Sequence, residues 1–170
     1  MRFFVPRAII FAASGRMFLT THAAIGALIA QQIPGQHFLA FTIGIASHFL
    51  SDIIPHGDTK QYKDYMSGRR VKKAVAYVMI DAAIAVYFIL FLFNADIPTN
   101  RLTVSLGIAG GILPDLLVAI YEVWRVKGLR WFHRLHFFFH NMVSEKKDMT
   151  LASGFAMQVM FLAALVNLIV

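Results

Sequence analysis

The sequence is 170 residues long; 58% of its residues are hydrophobic and only 15% are charged. Soluble domains carry about a quarter charged residues, so this composition predicts one integral membrane domain rather than a soluble one. No cysteine is present, which excludes disulfides, thiolate metal sites and thiol catalysis. The net charge of +7 raises the question of nucleic-acid binding, and the answer depends on where the charges lie.

The first sixteen residues stand apart from the rest of the chain. They have a charged start and a short apolar run, MRFFVPRAIIFAASGR, but lack the cleavage pattern of a signal peptide. Met17 directly precedes an apolar segment, so either Met1 or Met17 can be the true initiator. We interpret residues 1–16 as an extension that is either non-native or disordered.

Two short apolar segments follow, over residues 18–33 and 37–54. Pro34-Gly35 separates them and is a strong turn signal. Their shortness predicts a tight helical hairpin that crosses the bilayer only in part. Residues 56–73 then carry six Lys and Arg side chains and predict a basic cytoplasmic loop.

Three longer apolar runs predict membrane-spanning helices, since each is long enough to cross a bilayer at about 1.5 Å per residue. They cover residues 74–94, 102–121 and 150–170. Asp81 interrupts the first run and Asp115 the second, whereas the last is uncharged. A charged group at such a depth is costly unless it is paired, so both aspartates require a partner.

Residues 129–143, LRWFHRLHFFFHNMV, are aromatic and rich in histidine. The segment is too short and too polar for a span, and it predicts an interfacial or re-entrant helix. The elements together predict an all-α fold, namely an integral membrane helical bundle of four to five transmembrane helices plus this histidine-rich interfacial helix. One membrane domain then covers residues 1–170.

The Lys and Arg residues fall on alternate loops of this arrangement. Fifteen of the sixteen lie before the first segment, between the second and third, or between the fourth and last, and Arg101 is the exception. By the positive-inside rule, the N-terminus is cytoplasmic and the C-terminus lies outside the inner, or cytoplasmic, membrane. The charge therefore indicates topology and attraction to the lipid bilayer, and we expect no nucleic-acid partner.

The chain contains a weak internal repeat. GIASHFLSDII, residues 44–54, aligns without a gap with GIAGGILPDLL, residues 107–117, and places Asp52 opposite Asp115. One helix earlier, each hairpin has a lone polar group: His22 and Asp81. A duplication predicts a pseudo-symmetric site, whereas chance recurrence of Gly, Ala and Leu in membrane helices predicts none.

With this topology, the polar residues of the apolar segments share one leaflet, on the cytoplasmic side. They are His22, His48, Asp52, Asp81, Asp115, His133, His136 and His140. His48 and Asp52 are four residues apart and project from one helix face. The last three histidines, at steps of three and four, form a stripe along another helix.

Imidazole and carboxylate groups are the usual ligands of zinc and similar ions where no cysteine is available. The sequence therefore predicts a divalent metal, zinc in the first place, with manganese or iron as alternatives. The predicted ligands are His22, His48, Asp52, Asp115, His133, His136 and His140. Asp81 is interpreted as a further ligand or as a group that hydrogen-bonds to a ligand, and helix packing is the alternative role of each residue taken singly.

These motifs resemble those of the membrane-bound metal-dependent hydrolases of the LexA-regulated inner-membrane type. The matching residues are His22, Leu113-Pro114-Asp115, His133-Arg134 with His136 or His140, and Ser47-His48 with Asp52. In this chain Leu116 and Leu117 follow the Leu-Pro-Asp motif, where that family usually has Asp and His. SHFLSDIIPH is also distantly similar to the His-x-x-x-Asp pair of zinc-dependent phospholipase C. The resemblance implies a helical, metal-dependent phosphoester or lipid hydrolase.

The leading hypothesis is thus a membrane-embedded hydrolase that acts on a phosphoester or ester of a lipid-like substrate at the cytoplasmic interface. A metal-bound water would be the nucleophile, and no catalytic side chain is assigned. Binding or transport of a metal ion is the first alternative, and bis-histidine haem ligation, for example by His22 and His48, is another. The last alternative is a structural membrane protein whose polar residues only pair helices.

Overall fold

The computed structural model describes residues 18–57, 60, 63–64, 67–95, 100–147 and 149–169. Two predictions therefore lie outside the described residues: the extension over residues 1–16 and the choice between Met1 and Met17. The basic loop predicted over residues 56–73 is described only in part.

The described residues form α-helices and short turns and contain no β-strand, which confirms the all-α prediction. The helices are α1 (Leu19–Gln31), α2 (His37–Asp52), α3 (Val71–Asn94), α4 (Arg101–Trp124), α5 (Arg130–Lys147) and α6 (Leu151–Ile169). A short 3₁₀ turn over Lys127–Leu129 leads from α4 into α5. The connection between α1 and α2 contains the predicted turn, where Gly35 has a positive φ of 79°.

Three of these helices, α3, α4 and α6, are long and apolar enough to cross a membrane. This number is smaller than the four to five transmembrane helices predicted. The difference lies in α1 and α2, which have 13 and 16 residues. At about 1.5 Å per residue they reach roughly 20 and 24 Å, less than the roughly 30 Å of a bilayer's hydrocarbon core. The described part of the chain is therefore a helical protein with three candidate membrane spans.

α4 lies at the centre of the fold, with α1 and α2 packed against it. The backbones approach so closely that a Cβ atom at Gly26 would overlap the carbonyl oxygen of Gly107, and one at Gly110 that of Phe41. Only glycine leaves room for such backbone contact, and small residues are how membrane helices associate without a hydrophobic driving force between them. Buried alanines of α1 fill the remaining space of this core.

α3 and α6 pack on the outside of α1, and α5 packs on α2 and α4. α3 and α6 expose large apolar side chains along much of their length, as helices that face lipid do. Phe88 and Leu92 of α3, with Leu165 and Ile169 of α6, join the alanines of α1 in one apolar core. The bundle thus has an inner layer, α1, α2 and α4, and an outer layer, α3 and α6.

Candidate metal centre

Five of the seven predicted ligands meet in one place, where α1, α2, α4 and α5 come together. They are His22 of α1, His48 and Asp52 of α2, Asp115 of α4 and His136 of α5. Each of these residues is at most 2% exposed. Burial of so many titratable groups is costly unless they are paired or bind a metal, so their convergence requires a physical explanation.

Asp52 is at the centre of this cluster. Its Oδ1 lies 3.1 Å from His22 Nε2, and its Oδ2 lies 3.2 Å from His48 Nε2 and 3.5 Å from His136 Nε2. Asp115 Oδ1 lies 3.9 Å from His48 Nε2 and 3.8 Å from His136 Nε2. Two groups of three ligands result, His22–His48–Asp52 and His48–Asp115–His136, each with its ligand atoms within 4.8 Å of one another.

Oxygen acceptors hold the second ring nitrogen of His48 and of His22. His48 Nδ1 donates to the backbone oxygen of Gly111 over 2.8 Å. His22 Nδ1 lies 3.2 Å from Ser51 Oγ, and the Ser51 hydroxyl donates to a backbone oxygen one turn earlier on α2, at 2.9 Å. With its hydroxyl hydrogen donated to the backbone, Ser51 Oγ can accept from His22 Nδ1. In the neutral form of each ring that donates through Nδ1, Nε2 presents a lone pair to Asp52.

These lone pairs face the oxygens of Asp52, which are also acceptors when the carboxyl group is ionised. His22 Nε2, His48 Nε2 and both oxygens of Asp52 form no hydrogen bond in spite of their short separations. An imidazole lone pair opposite a carboxylate is repulsive, and a cation between them turns the repulsion into attraction. The nitrogen and oxygen donors are also those that zinc and related divalent ions bind.

The distances in the cluster also fit a bound ion. Ligand atoms placed about 2.0–2.2 Å from a tetrahedral zinc ion are separated from one another by about 3.3–3.6 Å. The four N–O separations that join His48 and His136 to Asp52 and Asp115 range from 3.2 to 3.9 Å. The buried His/Asp cluster can therefore hold a metal ion in the observed arrangement of helices.

The two aspartates lie close together because α2 and α4 pack with equivalent positions of the internal repeat opposite one another. Gly44 contacts the backbone of Gly107, and the His48 ring binds the backbone oxygen of Gly111, each residue opposite its partner in the alignment of the repeat. α2 and α4 therefore lie side by side in the register of the repeat. This register brings Asp52 and Asp115 to the same imidazoles.

His133 and His140, two further predicted ligands, lie outside both ligand groups. His133 Nε2 is 3.4 Å from Glu122 Oε1, on the seam between α4 and α5. The His140 ring contacts the ring of His56, with centroids 5.0 Å apart, and its centroid is 6.3 Å from that of His136. The histidine spacing places the stripe on one side of α5, and the approach of α5 to α2 and α4 brings His136 into the cluster.

Asp81 of α3 caps the start of α1. Its Oδ2 accepts from the backbone N–H of Leu19 at 2.6 Å, and its Oδ1 accepts from the hydroxyl and the N–H of Thr20 at 2.8 and 3.3 Å. The side-chain oxygen of Gln158 on α6 accepts from the Phe18 N–H at 2.5 Å. The N-cap residue Phe18 supplies no cap of its own, so the outer helices satisfy the free amides of α1. Asp81 therefore contacts α1, the helix that carries His22, and lies outside both ligand groups.

The sequence assigned no role to three polar residues that contact predicted site residues or the start of α1. Ser51 adjoins His48 and Asp52 in the sequence, but its bond to a histidine 29 residues away has no local signal. Glu122 and Gln158 do have a signal in the sequence, because each is a polar residue in an apolar helix and such a residue is costly without a partner.

The fold and the cluster together define a helical protein with three candidate membrane spans and a buried histidine–aspartate cluster that could hold a metal ion. No family model matches the chain, and neither does any curated protein or solved structure. The similarity to membrane-bound metal-dependent hydrolases therefore stays a prediction from the motifs.

Proposed function

We propose that this protein is a membrane-embedded metal-dependent hydrolase that acts on a phosphoester or ester of a lipid-like substrate at the cytoplasmic side of the membrane. The observation that carries the proposal is the convergence of His22 Nε2 and His48 Nε2 on the two oxygens of Asp52. A thiolate-free set of imidazole and carboxylate ligands is typical of hydrolytic metal sites. The similarity of the motifs to a hydrolase family supports the same chemistry.

The proposed metal ligands are His22, His48, Asp52, Asp115 and His136. The chain orients the first two of these rings through the oxygen acceptors behind them, which also makes the rings better ligands. Because the two oxygens of Asp52 face different imidazoles, the cluster has donors for one ion or for two. When bound, a divalent ion such as zinc polarises a phosphoryl or carbonyl oxygen and activates water near neutral pH.

The exposed residues support a membrane position for this proposal. We place α1 and α2 in the bilayer as a short hairpin beside the three longer helices, with α5 at the interface. Trp131, Leu135 and Phe138 of α5 are exposed at helical spacing, and the basic Arg130 and Arg134 are exposed beside them. The distribution of Lys and Arg orients the N-terminus to the cytoplasm and the C-terminus to the outside. A substrate whose tail stays in the bilayer would then bring its headgroup to the level of α5.

Metal binding without catalysis is the second candidate, and the burial of the cluster favours it. His48, Asp52 and His136 are 0% exposed, whereas a catalytic metal keeps an open position for water or substrate. In this case the ion would join four helices and contribute to folding. Stoichiometric metal without hydrolysis is the result that this candidate predicts.

Metal content tests the cluster. Detergent-purified wild type is compared with a folded His48→Ala/Asp52→Asn variant by inductively coupled plasma mass spectrometry, with His37→Ala as the matched control. His37 starts α2 and binds Thr103 at 3.0 Å, so its loss leaves the other end of the helix intact. We expect near-stoichiometric zinc, manganese or iron in the wild type and the control, and loss in the double variant. Negligible metal in all three proteins after reconstitution contradicts the proposal.

Turnover separates the two candidates. The metal-loaded protein in lipid vesicles is supplied with lipid phosphomonoesters, phosphodiesters and carboxylic esters, and released phosphate, headgroup or fatty acid is measured. Hydrolysis by the wild type and by His37→Ala, absent in the double variant, supports the hydrolase. Stoichiometric metal with no turnover of any of these classes supports metal binding without catalysis.

A further inference from the structure

The seam between α4 and α5 carries two histidine–carboxylate pairs. The inner pair, Asp115 and His136, belongs to the metal cluster, with Oδ1 and Nε2 3.8 Å apart. The outer pair is Glu122 and His133, with Oε1 and Nε2 3.4 Å apart. In both pairs α4 supplies the carboxylate and α5 the imidazole, so the seam repeats one arrangement of potential ligands.

Both members of the outer pair are displaced from the inner pair in the same direction along the seam. Glu122 follows Asp115 by seven residues, about two turns of α4, and His133 precedes His136 by three, nearly one turn of α5. Along α4 the step is roughly 10 Å. Both steps lead towards the turn over Lys127–Leu129 that joins the two helices. The outer pair therefore lies between the buried cluster and this end of the helices.

Exposure distinguishes the outer pair from the inner one. The His136 side chain is 0% exposed, whereas that of His133 is 20% exposed. Glu122 is 3% exposed, so the outer pair joins a buried carboxylate to an imidazole that reaches the surface. The rings of Tyr121 and Phe137, each with its centroid 4.7 Å from that of His133, pack against the imidazole and fix its orientation.

We propose that Glu122 and His133 form an outer site that binds a divalent metal ion on its way into the buried cluster. This proposal rests on the metal cluster of the proposed function. The five ligands of that cluster are at most 2% exposed, so an ion must pass another part of the protein to reach them. Glu122 and His133 offer the same donor chemistry with fewer ligands. Two protein ligands hold an ion weakly, which suits a site that must pass it on.

The competing explanation is an ion pair that only stabilises the α4–α5 connection. Both explanations include the contact between Glu122 and His133, but they differ in the kinetics of metal uptake. An outer cation site enriches the ion locally and raises the rate of uptake, while the final metal content is set by the cluster. If the pair is purely structural, its removal changes neither the rate of metal uptake nor the final metal content, as long as the protein is folded.

The rate of metal uptake by the apo-protein tests the outer site. Chelator-stripped full-length protein in lipid nanodiscs is mixed with Zn²⁺ together with a fluorescent zinc indicator, and uptake is followed over time. Glu122→Gln and His133→Gln are the test variants, and His37→Ala is the control. We expect uptake about tenfold slower in both test variants, at unchanged final stoichiometry, because local enrichment of ions typically raises association rates 10–10³-fold.

The outcomes separate this proposal from the proposed function. Uptake at the wild-type rate in both folded test variants overturns the outer site and leaves the cluster standing. Failure of the wild type to take up any metal overturns both.

Direct Co²⁺ binding covers the case in which a test variant does not fold. In the folded His48→Ala/Asp52→Asn protein, the outer site should still bind one equivalent of Co²⁺ weakly, detected by its visible absorption. Introducing Glu122→Gln into this double variant should abolish the binding. Absence of Co²⁺ binding in the double variant itself overturns the outer site.

Discussion

In the inner helices α1, α2 and α4, buried polar side chains from different helices meet one another in the His/Asp cluster, which could hold a metal ion. In the outer helices α3 and α6, the polar side chains Asp81 and Gln158 instead bind backbone amides at the start of α1. All of these residues interrupt apolar segments and look alike in the sequence. The comparison shows that a polar residue in an apolar helix can either join a buried polar cluster or cap a neighbouring helix.

The two layers also differ in how they pack. The inner helices touch through their backbones, and an added Cβ at Gly111 would overlap the backbone oxygen of His22. The outer helices contribute larger side chains such as Phe88 and Leu165 to the apolar core and expose the rest. The positions of the cluster residues in the inner layer are therefore set by close backbone contact, and we expect the exposed faces of the outer layer to tolerate more variation.

The largest expected effect is the loss of a ligand from the inner layer. Asp52→Asn removes the carboxylate that faces three histidines. We expect metal affinity to fall by more than the roughly 10–100-fold caused by loss of a group that is hydrogen-bonded to a ligand. Competition titration against a chelator of known affinity measures the change. An unchanged metal affinity would show that Asp52 is not a ligand and would contradict the difference drawn between the inner and outer helices.

The second-largest effect is expected when a methyl group is added to the inner layer. Gly107→Ala places a Cβ against the backbone oxygen of Gly26, and overpacking of this kind costs about 1–3 kcal/mol of unfolding free energy. Gly128→Ala is the matched control, because no atom lies within 4 Å of an added Cβ there. Reversible unfolding in mixed micelles measures both. Equal stabilities of the two variants would show that backbone contact does not limit the inner layer.

Removal of the acceptor behind His22 should have a smaller effect. Ser51→Ala leaves His22 Nδ1 without its oxygen partner, and we expect metal affinity about 10–100-fold weaker at unchanged stoichiometry. Ser47→Ala is the control, since the Ser47 hydroxyl binds the backbone of its own helix, at Gly44 O over 2.8 Å. The same loss in both variants would assign the effect to α2 as a whole rather than to the imidazole.

The smallest effect is expected in the outer layer. Asp81→Ala removes the cap of α1 and should cost about 0.5–2 kcal/mol of stability, while Asp81→Asn retains an acceptor oxygen and should cost less. Hydrogen exchange at the amides of Leu19 and Thr20 should accelerate in the alanine variant, with metal stoichiometry preserved at saturating metal. Loss of metal from the Asp81→Asn variant without faster hydrogen exchange would indicate that Asp81 is a metal ligand rather than a cap of α1.

Local spacing was a good guide within each helix and a poor one between helices. The four-residue step from His48 to Asp52 predicts that both face one way, and both meet the cluster. The same reasoning placed His133 and His136 on one face of α5, yet only the second is in a ligand group. A helix face is wider than a metal site, so the point where α5 meets its neighbours decides which histidine takes part.

The sequence by itself determined the all-α class, the three long apolar helices and the residue types of the cluster, because composition and helical period depend on short stretches of chain. Only the tertiary structure decided that Asp81 caps α1, that Gly111 holds His48 and that Glu122 faces His133. The first two contacts join residues 62 and 63 positions apart, and the last joins two separate helices. Such contacts depend on how the helices pack against one another, and the period within a single helix does not specify that packing.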